Sequence, residues 1–174
     1  MVEMVGKGEM FLTIFVKKDD ALFMRNVEKN YIVKDMIGYG WKGGVMIQFS
    51  LYDTIFSFIN THLESGQKVT QSRMNMARDV LREIGLFSEQ DMIEPDAVSD
   101  FSFFLGDLNF RLNSTYRQHA ANLANSAQLI SSLDQLSLLR QSDEIFPDYE
   151  ENEITFMPTY KRHTHTNEFV NKKD

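Results

Sequence analysis

The stretch Phe101-Ser102-Phe103-Phe104-Leu105-Gly106-Asp107-Leu108-Asn109 constrains the fold of this chain more than any other. Four aromatic or aliphatic residues lead to a glycine without a charge, and two side chains able to do chemistry follow at once. An apolar run bounded in this way predicts a buried strand that delivers polar groups to the rim of a sheet. Asp107 and Asn109 stand two apart, which points both to one side if the strand continues. A carboxylate can take a proton from water while an amide donates to an anionic oxygen. The same pair also suits an ordinary turn, in which Asp and Asn side chains bond the nearby backbone. On these residues alone, phosphoryl-transfer chemistry and turn formation are both open.

A second strand pattern, Ile55-Phe56-Ser57-Phe58-Ile59, ends in Asn60-Thr61-His62-Leu63, an amide and an imidazole at another strand end. Upstream lies Gly38-Tyr39-Gly40-Trp41-Lys42-Gly43-Gly44-Val45, and downstream Glu153-Ile154-Thr155-Phe156-Met157-Pro158-Thr159-Tyr160-Lys161. Taken in this order, the four segments resemble the inositol polyphosphate 5-phosphatases of the endonuclease/exonuclease/phosphatase superfamily. That family shows Gly-Asn-Lys-Gly-Gly, Asn-x-His-Leu, Gly-Asp-Leu-Asn-Tyr-Arg and Phe-x-Pro-Thr-Tyr-Lys. The resemblance runs from about Glu9 to Lys161, and Leu133-Asp134-Gln135-Leu136 fits it too. Asn-x-His-Leu and Gly-Asp-x-Asn belong to the wider superfamily, whereas Lys-Gly-Gly and Pro-Thr-Tyr-Lys narrow the match to inositide phosphatases.

The resemblance implies an α/β fold, part of a layered sandwich of two mostly antiparallel sheets flanked by helices. It implies hydrolysis of the 5-phosphate of phosphoinositides or soluble inositol polyphosphates by Mg²⁺-assisted in-line attack of water. In that scheme Asp107 prepares the water, while Asn109 and His62 bind the transferring phosphate. Asn60, Lys42, Arg111, Tyr160 and Lys161 are the implied substrate contacts, with Tyr160 and Lys161 gripping a neighbouring 4-phosphate. Two departures stand out: Trp41 occupies the place of the family asparagine, and Phe110 that of a tyrosine. The family's upstream asparagine and glutamate for Mg²⁺ have no counterpart here, nor do its downstream Pro-x-Trp-x-Asp-Arg and Ser-Asp-His segments. Residues 1–174 are therefore expected to form a partial catalytic domain, feeble or inactive alone, with its metal ligands unassigned. The rival readings are a nuclease of the same superfamily and an inactive remnant that binds phosphoinositides or protein partners.

Bland readings stand beside each of these residues. A lysine after a proline-started turn is ordinarily solvated, as Lys161 would be without its motif. His119, His163 and His165 lie outside any motif and read as structural, and Met74 and Met76 as core filler. The glycines around Lys42 could let a loop approach an anion and expose its amides.

At 174 residues the chain has the length of one domain, and 43% hydrophobic with 25% charged residues suits a packed core. No run approaches the ~20 apolar residues of a membrane span, and no secretory signal pattern opens the chain. With no cysteine there is no disulfide or thiolate site. A cytoplasmic setting is expected, peripheral to the cytosolic face of membranes where a lipid is the substrate. The net charge of −7 weighs against broad nucleic-acid binding. It does not exclude an anionic substrate, because screening over about 8 Å leaves local cations dominant.

Periodicity predicts a central strand over Met10–Val16, a short one over Asn30–Val33, and a hairpin of Val45–Phe49 with Thr54–Thr61 about Tyr52-Asp53. Gln67–Ile84 reads as a helix with an apolar stripe of Val69, Met76, Val80, Leu81 and Ile84, stopped by Gly85. Glu89–Asp100 reads as an acidic exposed loop, Gln118–Arg140 as one or two helices, and His163–Asp174 as an aperiodic tail.

Overall fold

The computed structural model describes residues 2–34, 41–84, 99–113, 132–154, 156 and 164–166. The chain divides into two units, Met1–Asn109 and Phe110–Asp174. In the first, β1 (Val2–Lys7) and β2 (Met10–Phe15) form an antiparallel hairpin. A short 3-10 turn at Asp20–Phe23 leads into a four-stranded sheet. Its strands, in spatial order, are β3 (Met24–Val33), β4 (Gly43–Leu51), β5 (Thr54–His62) and β6 (Phe101–Asp107). The pairings β3–β4 and β4–β5 are antiparallel, and β5–β6 is parallel. The helix α1 (Thr70–Ile84) lies between β5 and β6 in sequence.

Alternation along the strands sorts the core into two layers. On one face of the sheet, Val45, Ile47 and Phe49 pack with Met10 and Leu12 of the hairpin, joined by Phe56 and Phe58. On the other, α1 turns Met74, Ala77, Val80, Leu81 and Ile84 inward. A Cβ on Gly44 would stand 2.7 Å from Val80 and 2.9 Å from Ile84, so helix and sheet meet across that glycine. The inward stripe uses Met74 and Ala77 where the sequence pattern points to Met76, which is only half-buried.

Aromatic rings tie β6 to its neighbours. Phe58 stacks on Phe103 at 4.8 Å and Phe56 on Phe101 at 5.5 Å, each pair directly opposite in the parallel ladder. Phe49 continues both stacks onto β4, at 5.9 Å from Phe58 and 5.8 Å from Phe56. A slip of one residue would move each phenylalanine of β6 to the opposite face, so the rings hold the register.

Several expectations need correction. Met10–Phe15 is not a central strand: among the described residues it pairs only with β1, and Phe11 and Phe15 are exposed. β1 carries no apolar run and goes unpredicted, because only one side of it is covered. The strand expected at Asn30 begins at Met24; Arg25, Asn26, Glu28 and Lys29 hide it, and a bulge between Arg25 and Glu28 breaks its alternation. The hairpin about Tyr52-Asp53 is found as expected, with Tyr52 in the left-handed region at φ 53°. Of the acidic loop only Ser99 and Asp100 are described, and the Asp100 carboxylate accepts from the Ile55 amide at 2.7 Å. Most of Gln118–Arg140 and of His163–Asp174 lies outside the described residues.

The described part of the second unit centres on α2 (Gln135–Gln141), capped by Asp134 accepting from the Ser137 amide at 2.7 Å. Buried Gln135 accepts from the Arg111 amide at 3.1 Å and donates to Asn113 at 3.0 Å, bracketing the Leu112–Asp134 bridge.

The loop after β5 depends on a buried cation. Arg73 is wholly buried; its Nε donates to the Glu64 carbonyl at 2.7 Å and its guanidinium also donates to the Gly66 carbonyl. Removing it strands both acceptors, at about 1–3 kcal/mol each. Arg73→Met is therefore expected to lower stability by about 3 kcal/mol in urea unfolding, with Arg73→Lys recovering only part of that loss.

Candidate functional site

β5 and β6 run in the same direction and stop together, which brings His62 and Asp107 opposite each other as the last pair of the ladder. Side chains at paired positions share a face, so imidazole and carboxylate project side by side. Nε2 of His62 lies 3.8 Å from Oδ2 of Asp107, with the imidazole 30% and the carboxylate 64% exposed. That separation is an electrostatic contact, longer than a hydrogen bond.

Gly106 makes the approach possible. Its φ is +121°, and a Cβ there would lie 2.1 Å from the Thr61 carbonyl oxygen and 2.6 Å from the Asn60 side chain. No other residue fits between β5 and the carboxylate.

The strand does not continue beyond Asp107. Asn109 adopts φ 57°, and its amide N–H donates to Oδ1 of Asp107 at 3.1 Å. The turn reading of this pair is thus realised, and it is the turn, not strand alternation, that sets the two side chains. Asn109 Nδ2 donates to the Leu63 carbonyl at 2.9 Å, and the Leu63 amide donates to the Asp107 carbonyl at 3.0 Å. The Leu63 carbonyl also accepts from Lys42 Nζ at 2.9 Å. Leu63 itself is fully buried, so its peptide is a fixed post for Lys42 and Asn109.

Lys42 enters from the start of β4, one residue before Gly43, which is the ladder partner of His62. Its ammonium lies 2.6 Å from Nε2 of His62. Gly43 is needed for strand pairing, because its φ is +137° and a Cβ would lie 2.0 Å from the Ile32 carbonyl oxygen. Together with Gly44 beneath α1, it has a packing cause that the ligand-approach reading of these glycines lacked. Trp41 stands next to Lys42 and is 48% exposed.

Lys42, His62, Asp107 and Asn109 are therefore gathered at one end of the sheet. Asn60 shares their face, and its Nδ2 donates to the Phe11 carbonyl at 2.7 Å, pinning the hairpin to β5. Arg111 belongs to the second unit, where its backbone is held by Gln135. Tyr160 and Lys161 lie outside the described residues. Pattern reading missed Leu63 and Gln135, since backbone acceptors and buried amides carry no signal of their own.

Among the described residues no group of three His, Cys, Asp or Glu side chains could hold a metal ion. Asp107 and Asn109 offer oxygen atoms, but with an ammonium close by they do not compose the several-oxygen shell that Mg²⁺ requires. Among the described residues no helix is long and apolar enough to cross a membrane.

Comparison with known proteins places this geometry in context. The model of Endonuclease/Exonuclease/phosphatase family 2 matches residues 1–174. The chain is 30% identical over 173 residues to Type I inositol polyphosphate 5-phosphatase 8 of Arabidopsis thaliana, covering 97% of this chain and 36% of that protein. It is 33% identical over 152 residues to Synaptojanin-2 of Rattus norvegicus, covering 86% of this chain and 10% of the relative. Among solved structures, the inositol polyphosphate 5-phosphatase domain of SPsynaptojanin, in complex with inositol (1,4)-bisphosphate and calcium ion, superposes with a TM-score of 0.81. Its identity is 28%, over 98% of this chain and 50% of that one. A Cimex nitrophorin structure shares the fold at a TM-score of 0.71 and 21% identity, over 97% of this chain and 56% of that one.

Two substitutions separate scaffold from chemistry here. Gly106→Ala should cost about 3 kcal/mol or more through the backbone collision, read as a lowered thermal midpoint. Asn60→Ala should cost about 1 kcal/mol and speed amide hydrogen exchange in β2, leaving any affinity for inositol phosphates within about twofold. A selective loss of ligand binding in the Asn60 variant would instead assign Asn60 to substrate contact.

Proposed function

Because the chain belongs to the endonuclease/exonuclease/phosphatase family, we propose that it carries the water- and phosphate-handling end of an inositol polyphosphate 5-phosphatase. The observation that supports this reading best is the paired end of β5 and β6, where His62 and Asp107 stand 3.8 Å apart with Lys42 and Asn109 beside them. The 5-phosphatases among its relatives, and the inositol (1,4)-bisphosphate held by the solved one, point to the substrate class.

In the proposed reaction Asp107, the most exposed of the paired groups, orients the attacking water and takes its proton. The phosphorus is attacked in line with the leaving 5-oxygen; the P–O bond to the ring breaks as the bond to water forms, and the 5-oxygen departs with the bonding pair and takes a proton from solvent. Positioning and charge stabilisation supply most of the acceleration in such transfers. Asn109 and His62 hold the transferring group, and Lys42 places a positive charge at the same end. Arg111 is proposed as a further contact, and Tyr160 with Lys161 as the grip on an adjacent 4-phosphate, a point charge and a phenol suited to that anion. The metal proposed for the whole protein is Mg²⁺, which would stabilise charge on the phosphoryl oxygens when bound. The donors described above are too few for it, and the steps assigned to this chain use its own side chains. The proposed setting is cytoplasmic, at the cytosolic face of a membrane when the substrate is a lipid.

One rival has an observation in its favour. The engagement of His62 by Lys42, together with too few metal donors among the described residues, suits a binding remnant that no longer turns over. Pairing a liposome-binding assay with phosphate release separates the two, since the remnant binds without releasing phosphate. Cleavage of DNA in place of an inositide would instead favour a nuclease.

In the whole protein, Asp107→Ala is expected to cut phosphate release about 10³-fold with an almost unchanged unfolding midpoint; retention of most activity would remove the proposed role. Lys161→Ala is expected to weaken binding about tenfold or more for substrates bearing a 4-phosphate and hardly at all for those without it. Equal losses on both would end the specificity assignment.

A further inference from the structure

Lys42 is expected from its motif to touch substrate, yet its ammonium lies 2.6 Å from Nε2 of His62 and 2.9 Å from the Leu63 carbonyl. An ammonium has three N–H donors and no lone pair, whereas an imidazole nitrogen either donates or accepts. At that distance Nε2 must present its lone pair, because two donors facing each other would repel. We propose that Lys42 is a positioning residue that locks His62 in the tautomer protonated at Nδ1, with Nε2 as acceptor.

Three features of the site carry the proposal. First, the lysine is supplied by the ladder itself: it immediately precedes Gly43, the residue directly opposite His62 on β5. Its carbonyl accepts from the Lys34 amide at 2.9 Å, which ties the backbone at that point to the end of β3. Second, the ammonium is aimed by two acceptors at once, the imidazole and the carbonyl of fully buried Leu63, so its direction is set by rigid groups. Third, the other candidate partner for Nε2 is too far away. The Asp107 carboxylate stands 3.8 Å from it, beyond hydrogen-bonding range.

The chemical consequence rests on the 5-phosphatase reading. Under it, His62 meets the transferring phosphate through its Nδ1–H, and the positive charge at the end of β5 is that of Lys42. The lysine then acts through the histidine, and the family-like Lys-Gly-Gly and Asn-x-His-Leu segments form one working unit.

The tautomer can be read directly on the ¹⁵N-labelled chain by long-range ¹H–¹⁵N correlation of the His62 imidazole, independently of any turnover. The wild type is expected to show a protonated-type Nδ1 and an acceptor-type Nε2. In Lys42→Met the Nε2 resonance should shift toward the protonated type, while Lys42→Arg should retain the wild-type pattern. Backbone amide spectra of β4 and β5 report whether each variant keeps its fold. A wild-type imidazole protonated at Nε2 would overturn the proposal, as would an unchanged tautomer in a folded Lys42→Met. If Lys42→Met does not fold, the wild-type tautomer alone decides. Failure of the whole protein to release phosphate from an inositol polyphosphate would remove the hydrolase reading and leave the measured tautomer standing.

Discussion

The parallel pairing of β5 with β6 is the constraint on which the site depends. It places the ends of two strands at one level, with His62 and Asp107 as the terminal pair. What holds that register is apolar: the stacked rings of Phe56, Phe58, Phe101 and Phe103, continued onto β4 by Phe49. A site made of polar side chains is therefore aligned by stacked phenylalanines. Gly106 completes the arrangement, since only a residue without a Cβ fits against the Thr61 backbone at this point of the ladder.

Around that pair, several polar side chains hold backbone in place. The Leu63 peptide gathers Lys42, Asn109 and Asp107; Arg73 secures the carbonyls that follow; Asn60 fastens the hairpin. Such bonding is what preorganisation demands, because a reacting group held loosely loses much of its advantage. It also explains how one fold serves distinct ends. A nitrophorin shares the architecture at 21% identity, and a fold by itself does not dictate chemistry.

How legible this was depended on the kind of residue. Strands buried on both faces, such as β4, announce themselves by apolar runs, and α1 by its stripe. β1 and the first half of β3 did not, because a strand covered on one side or bent by a bulge carries too little hydrophobic signal. The expectation that Asp107 and Asn109 share a strand face failed for a local reason: Asn109 turns left-handed and bonds back to the aspartate.

The amino-acid sequence alone determined which side chains could do the chemistry and which strands would carry them. Motif spacing also sufficed to identify the family, because the reacting groups must follow glycines and strand ends in a set order. Only the tertiary structure decided what each group touches. Lys42 and His62, twenty residues apart along the chain, meet at 2.6 Å, and the Asn60 amide donates to the Phe11 carbonyl of the hairpin. Hydrogen-bond partners of this kind are chosen by distances across the sheet, which strand pairing sets and one-dimensional spacing does not record.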